Sequence, residues 1–128
     1  MKHAPNIAGG LLGLLFVVFG SNFFLHFLPN PGSPPEGSPP ALFMAALYPT
    51  GYLAFVKVIE ILGGILVAIP KTRNYGLLLL GPVIVNILAF HVFLTGGAGL
   101  KDPVVILITA LALFLLWSAR KSFAALAN

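Results

Sequence analysis

Cysteine is absent from this chain of 128 residues. Its absence removes disulfides, thiolate metal sites, covalent c-type haem and dithiol redox cycling from what the chain can do by itself. Charge is scarce as well. Only 8% of residues are charged and 59% are hydrophobic, whereas a soluble domain carries about 25% charged residues. A chain this short cannot hide so much apolar surface in one water-soluble core. Basic residues outnumber acidic ones, with a formal charge of +4. They are spread along the chain, however, and form no stripe interleaved with stacking aromatics, which excludes nucleic acid as a partner.

What the chain does have is long apolar runs. Four of them, about 7–28, 51–69, 76–94 and 103–118, match or nearly match the roughly 20 residues needed to cross a bilayer. The expected fold is all-α: one integral membrane domain over residues 1–128, a transmembrane four-helix bundle. Lys2 ahead of the first run imitates a signal peptide. No small-x-small cleavage site follows, so the run reads as an uncleaved first span. After it comes "PNPGSPPEGSPP", residues 29–40, with six prolines in twelve positions. Such density forbids helix and favours an extended, semi-rigid external loop. "ALFMAALY", residues 41–48, reads as a short helix at the membrane surface, since Pro49 disfavours helix at the preceding residue. Pro70 closes the second span. "TGGAGLKD" is a flexible Gly-rich connection, and Pro103 suits the first turn of the fourth helix.

Four spans place both termini on one side, together with Lys2, Lys71, Arg73, Arg120 and Lys121. Lys101 lies opposite, with Glu36 and Asp102. Positive residues concentrate on the cytoplasmic side of membrane proteins, so both termini are expected in the cytoplasm.

The polar residues inside the apolar runs are few. Asn22 and His26 lie toward the outer end of span one. Lys57 and Glu60 interrupt "FVKVIEILGG" in span two. Asn86 and His91 occupy span three. At about 1.5 Å of rise per residue, all six fall in the outer half of the membrane or at its midplane. Lys57 can snorkel toward the interface. Glu60 is too short and too deep for that, so it is expected to face an internal polar cavity with Asn86 and His91. Gly63 and Gly64 permit a close helix approach; Gly9, Gly13 and Gly20 form a small-residue face on span one, and Gly9 and Gly13 match the GxxxG spacing. Two readings of the polar set stand side by side. In one, these side chains hydrogen-bond across helices and set their register. In the other, they form a ligand-binding or proton-handling site, the default reading of ionisable residues within a membrane. A contact with a partner subunit is the third use open to them. No residue is assigned a catalytic role.

The order and spacing of three fragments, "FGSNFF", "PTGYLAFVKVIEILGGILVAIP" and "LLLLGPVIVNILAFHVFL", resemble the DoxX-like family of small four-helix membrane proteins. Glu60-x-x-Gly63-Gly64 and Asn86-x-x-x-Phe90-His91 carry most of that likeness, which covers nearly the whole chain. The resemblance implies an inner-membrane protein, in some members a partner in membrane-linked oxidoreductase complexes, with quinone as the associated ligand. On that reading Glu60 or His91 exchanges the proton and Asn86 orients a carbonyl. The alternative is a non-enzymatic protein that binds lipid or a small molecule, or assists assembly of another membrane or redox subunit. His26 and His91 at similar depth raise haem b as a weaker third reading, since axial histidines on different helices hold haem in bundles. A further metal site is not expected, because the carboxylate and histidines lack ligand spacing within any one span. Membrane lipid is the partner every reading shares, and an oligomer is open.

Overall fold

The computed structural model of the chain describes residues 3–29 and 32–127. Lys2, counted above with the inner-side cations, lies outside them, as do Asn30 and Pro31 of the proline-rich loop. The described residues are helical, without a strand: α1 (Ala4–Leu25), α2 (Pro39–Leu47), α3 (Tyr52–Ala68), α4 (Arg73–Ala89), α5 (Pro103–Ser118) and α6 (Arg120–Ala124).

Local chemistry sets the ends of these helices. Pro5 stands in the first turn of α1, where a missing N–H costs nothing. At the other end His26 adopts the left-handed conformation (φ 52°, ψ 48°) and donates its backbone N–H to the Asn22 carbonyl. The Asn22 side chain accepts from the Leu28 N–H at 2.7 Å. The helix therefore stops at Leu25, inside the apolar run rather than at its end, because a polar side chain supplies the cap. Ser38 caps α2 by accepting from the Ala41 N–H, and Asp102 caps α5 by accepting from the Val104 N–H at 2.8 Å, the usual work of these residue types at a helix start.

Pro49 and Gly51 separate α2 from α3. Gly51 takes φ 81°, a conformation that favours glycine, and the two helices meet at 86°. At the far end of α3 the backbone becomes extended at Ile69, and Pro70–Thr72 forms a 3-10 turn that leads into α4. α4 continues into a π-helical turn, Phe90–Leu94. Nothing in an apolar run announces such a turn.

The four longer helices touch in a ring. α3 lies between α1 and α4, and α5 touches both α1 and α4. The α1–α3 contact is the most extensive. Leu12 and Phe16 of α1, Val67 of α3, Leu80 of α4 and Leu115 of α5 are buried at the centre. The outward surfaces are as apolar as the interior, with Ile7, Phe55, Val85, Leu113 and many others exposed. A water-soluble protein rarely leaves contiguous patches of this kind uncovered; for a membrane protein they are the lipid-facing surface.

α1 and the continuous helix Pro70–Leu94 are long and apolar enough to cross a membrane. The bent pair α2 and α3 makes a third crossing if it counts as one span, and α5 is apolar but shorter. The chain is thus an all-helical protein with two or three candidate membrane spans.

Candidate functional site

The interior stripe of α3 is Glu60, Gly63, Gly64 and Val67. Its spacing of three and four residues places all of them on one helix face. Three of these side chains are small or apolar; Glu60 is a carboxylate with only 5% of its surface exposed. Its partner lies on its own helix. Lys57 Nζ stands 3.4 Å from Glu60 Oε2, about one turn toward the N-terminal end of α3, with a quarter of its side chain exposed. Measured from Tyr52, the pair lies about 8 to 12 Å along α3. Burying one ion of such a pair without the other is costly, and their attraction offsets part of the desolvation of both.

Glycines let the neighbouring helices come close to this face. A Cβ placed on Gly13 of α1 would collide with the Gly64 carbonyl oxygen, and one on Gly64 would sit 2.8 Å from the Gly13 carbonyl oxygen. On the other side, a Cβ on Gly63 would lie 2.7 Å from the Leu80 side chain, and one on Gly76 would lie 2.8 Å from the Gly63 carbonyl oxygen. Above them Gly20 of α1 packs on Ile61 and approaches the Lys57 carbonyl. Near-contact of backbones is what small residues permit in apolar bundles. Gly20 thus packs as its place on the small-residue face of span one leads one to expect, and Gly76 takes part equally, although it does not stand out as a packing residue in the sequence. For Gly76 the usable signal is its small size at a position that faces Gly63 and Val67.

The remaining polar residues do not gather around Glu60. Asn86 lies on the exposed face of α4 and makes no hydrogen bond with Glu60. His91 is half-buried in the π turn, its ring against Gly99 and edge-on to Phe90 at 5.3 Å. Its Nδ1 is buried and has no hydrogen-bond partner among the described residues. Asn22 and His26 terminate α1, and the His26 side chain is exposed. Among the described residues Lys57 forms an ion pair with Glu60, and Asn86, expected beside it, lies instead on the exposed face of α4. The physical reason lies in α4: Gly76, Leu77, Leu80 and Ile84 occupy its inner face, which turns Asn86 outward.

Sequence reasoning also passed over Arg73. Expected on the inner side as a topology signal, it also ties three elements together. Its Nε donates to the Val67 carbonyl at 3.0 Å, its Nη1 donates to Asn6 Oδ1 at 3.2 Å, and its guanidinium covers Gly9. Val67 stands in the last turn of α3, where carbonyls lack intrahelical donors. A cation there also suits the negative end of the helix dipole. The only signal in the sequence is an arginine just beyond a helix end that faces a small residue.

An open apolar groove of about 320 Å³ runs between α1 and α3, lined by Gly10, Gly13, Leu14, Val17, Gly64 and Ile65 among others. No group of three or more His, Asp or Glu side chains converges among the described residues. No known protein family, curated protein or solved structure matches this chain. The likeness to the DoxX-like family therefore rests on the residues quoted above alone.

Proposed function

We propose that the chain is a four-span inner-membrane protein of the DoxX-like kind, with both termini cytoplasmic, and that the Lys57–Glu60 pair forms a proton-exchanging site for the polar head of an apolar ligand, a quinone. The observation that carries this reading is the buried carboxylate of Glu60 beside a partly accessible ammonium. Ionisable groups at such depth are rare and cluster at functional sites. Lys57 would donate a hydrogen bond to a quinone carbonyl, and Glu60 would exchange a proton through it. Electrons would come from a partner redox subunit, which makes this chain one component of a membrane oxidoreductase system.

Four crossings require α3 and α5 to span with 17 and 16 helical residues. At about 24 to 26 Å they fall short of the roughly 30 Å hydrocarbon core, a mismatch that local thinning and snorkelling flanks accommodate. α2, bent 86° from α3, then lies along the outer surface, and Trp117 and Arg120, stacked at 4.3 Å, mark the inner interface.

The groove between α1 and α3 favours a second reading, in which the protein binds a lipid chain without chemistry. A photoreactive quinone analogue separates the two. Labelling of the peptide around Lys57 and Glu60, competed by unmodified quinone, supports the first. Labelling confined to the segments around Gly10 to Val17 and Ile65 to Ile69, competed equally by phospholipid, supports the second.

A further inference from the structure

The outer face of α4 carries a polar group where hydrocarbon is expected. Tyr75, Leu79, Pro82, Asn86 and Ala89 follow one another at alternating spacings of four and three residues. That is the 3.5-residue repeat of a seam between two helices. Tyr75 is 67% exposed and Leu79 38%, and Pro82 and Asn86 are exposed too. Among the described residues nothing buries Tyr75, Leu79, Pro82 or Asn86, because the neighbours of α4, α3 and α5, pack against its inner residues. Asn86 lies well inside the continuous helix Pro70–Leu94, some 12 Å from its outer end at 1.5 Å per residue. Among the described residues its side-chain amide has no hydrogen-bond partner. A second polar group, the Leu78 carbonyl, lies about two turns away beside the seam. Pro82 stands inside α4 and has no N–H to give to the Leu78 carbonyl, and Leu78 is itself 49% exposed.

We infer that two copies of this chain pair through the outer face of α4, with the two Asn86 amides hydrogen-bonded to each other. An amide is at once donor and acceptor, so it complements itself. Copies inserted with the same topology are related by a twofold axis along the membrane normal, and such an axis brings equivalent residues together at equal depth. A single asparagine in an otherwise apolar 3.5-residue seam fixes register and partner number in coiled coils. Asparagines also hydrogen-bond across helices in membranes. The inference rests on α4 being a membrane span and is independent of any ligand at Glu60.

Because the chain has no cysteine, single-cysteine variants test the interface directly. Leu79→Cys on the α4 seam and Leu113→Cys on the exposed face of α5 are reconstituted separately into phosphatidylethanolamine–phosphatidylglycerol liposomes and oxidised. Leu79→Cys is expected to give a disulfide-linked dimer and Leu113→Cys little. Förster transfer between labelled copies, followed as lipid dilutes the protein, is expected to show association weakened roughly ten-fold by Asn86→Leu and kept within about three-fold by Asn86→Gln. Equal cross-linking from both faces, or association unchanged by Asn86→Leu, overturns the inference. Cross-linking of Leu79→Cys to a different protein in native membranes overturns the second copy as the occupant. Alkaline carbonate extraction of the same liposomes identifies the deeper failure: release of the protein would show that α4 does not span, and would remove the membrane reading together with the dimer.

Discussion

Gly13 and Gly64 meet backbone to backbone where α1 crosses α3: the space for a Cβ on either one is already taken by the carbonyl oxygen of the other. Gly10, three residues before Gly13 and about 60° from it round α1, has nothing within 4 Å of its would-be Cβ. The two glycines make a controlled comparison. Gly13→Ala is expected to lower stability in detergent by about 1–3 kcal/mol, as overfilled cores do, whereas Gly10→Ala is expected to be neutral or slightly stabilising, since alanine favours helix. Thermal unfolding followed by circular dichroism reads both. Gly99 would be a poor control, despite its flexible connection. A Cβ there collides with the His91 ring.

The ion pair has its own signature. Lys57→Met leaves Glu60 buried without a partner and is expected to cost about 3 kcal/mol. Lys57→Met combined with Glu60→Gln removes both charges and is expected to recover most of that loss, a non-additivity that a double-mutant cycle measures. If the two single substitutions add without coupling, Lys57 does not stabilise the carboxylate.

Arg73 is expected to resist replacement by lysine. An ammonium cannot bond the Val67 carbonyl and Asn6 Oδ1 from one fork, so Arg73→Lys should lose about 1–2 kcal/mol. Asn6→Ala should lose about half as much, because it removes one of the two bonds. A melting temperature for Arg73→Lys equal to that of the parent protein would show that the bridge between α1, α3 and α4 adds nothing.

Topology is tested by labelling. Ser33 in the proline-rich loop and Ser122 near the C-terminus are both exposed. In intact cells an impermeant maleimide is expected to reach Ser33→Cys and not Ser122→Cys. The reverse pattern inverts the orientation, and labelling of both indicates an odd number of crossings.

The helices were legible because proline, glycine and capping residues punctuate the apolar runs: Asp102 and Pro103 open α5, and Pro49, Gly51 and Pro70 bracket α3. The inner faces were harder to read. In α4 nearly every residue is apolar, so no periodic contrast separates the face that packs from the face that meets lipid. The rule that polar residues avoid hydrocarbon points Asn86 inward, yet the small and aliphatic set Gly76, Leu77, Leu80 and Ile84 takes that place. Glu60 was different, since the glycines three and four residues beyond it mark a close helix approach on its own face. The π turn at Phe90–Leu94 and the bridge from Arg73 to Asn6 depend on tertiary contacts that no local pattern records.

The central claim is that the buried Glu60 carboxylate serves a ligand rather than only the register of the helices. Quinone extracted from the purified protein and quantified by mass spectrometry tests it most directly, with Glu60→Gln as the comparison because the amide keeps the shape and most of the hydrogen-bonding capacity of the acid. The account predicts bound quinone in the parent protein and at least a ten-fold loss in Glu60→Gln, with the melting temperature of the two proteins within a few degrees. Equal quinone content in both, or none in either, would contradict it and leave the Lys57–Glu60 pair a structural contact.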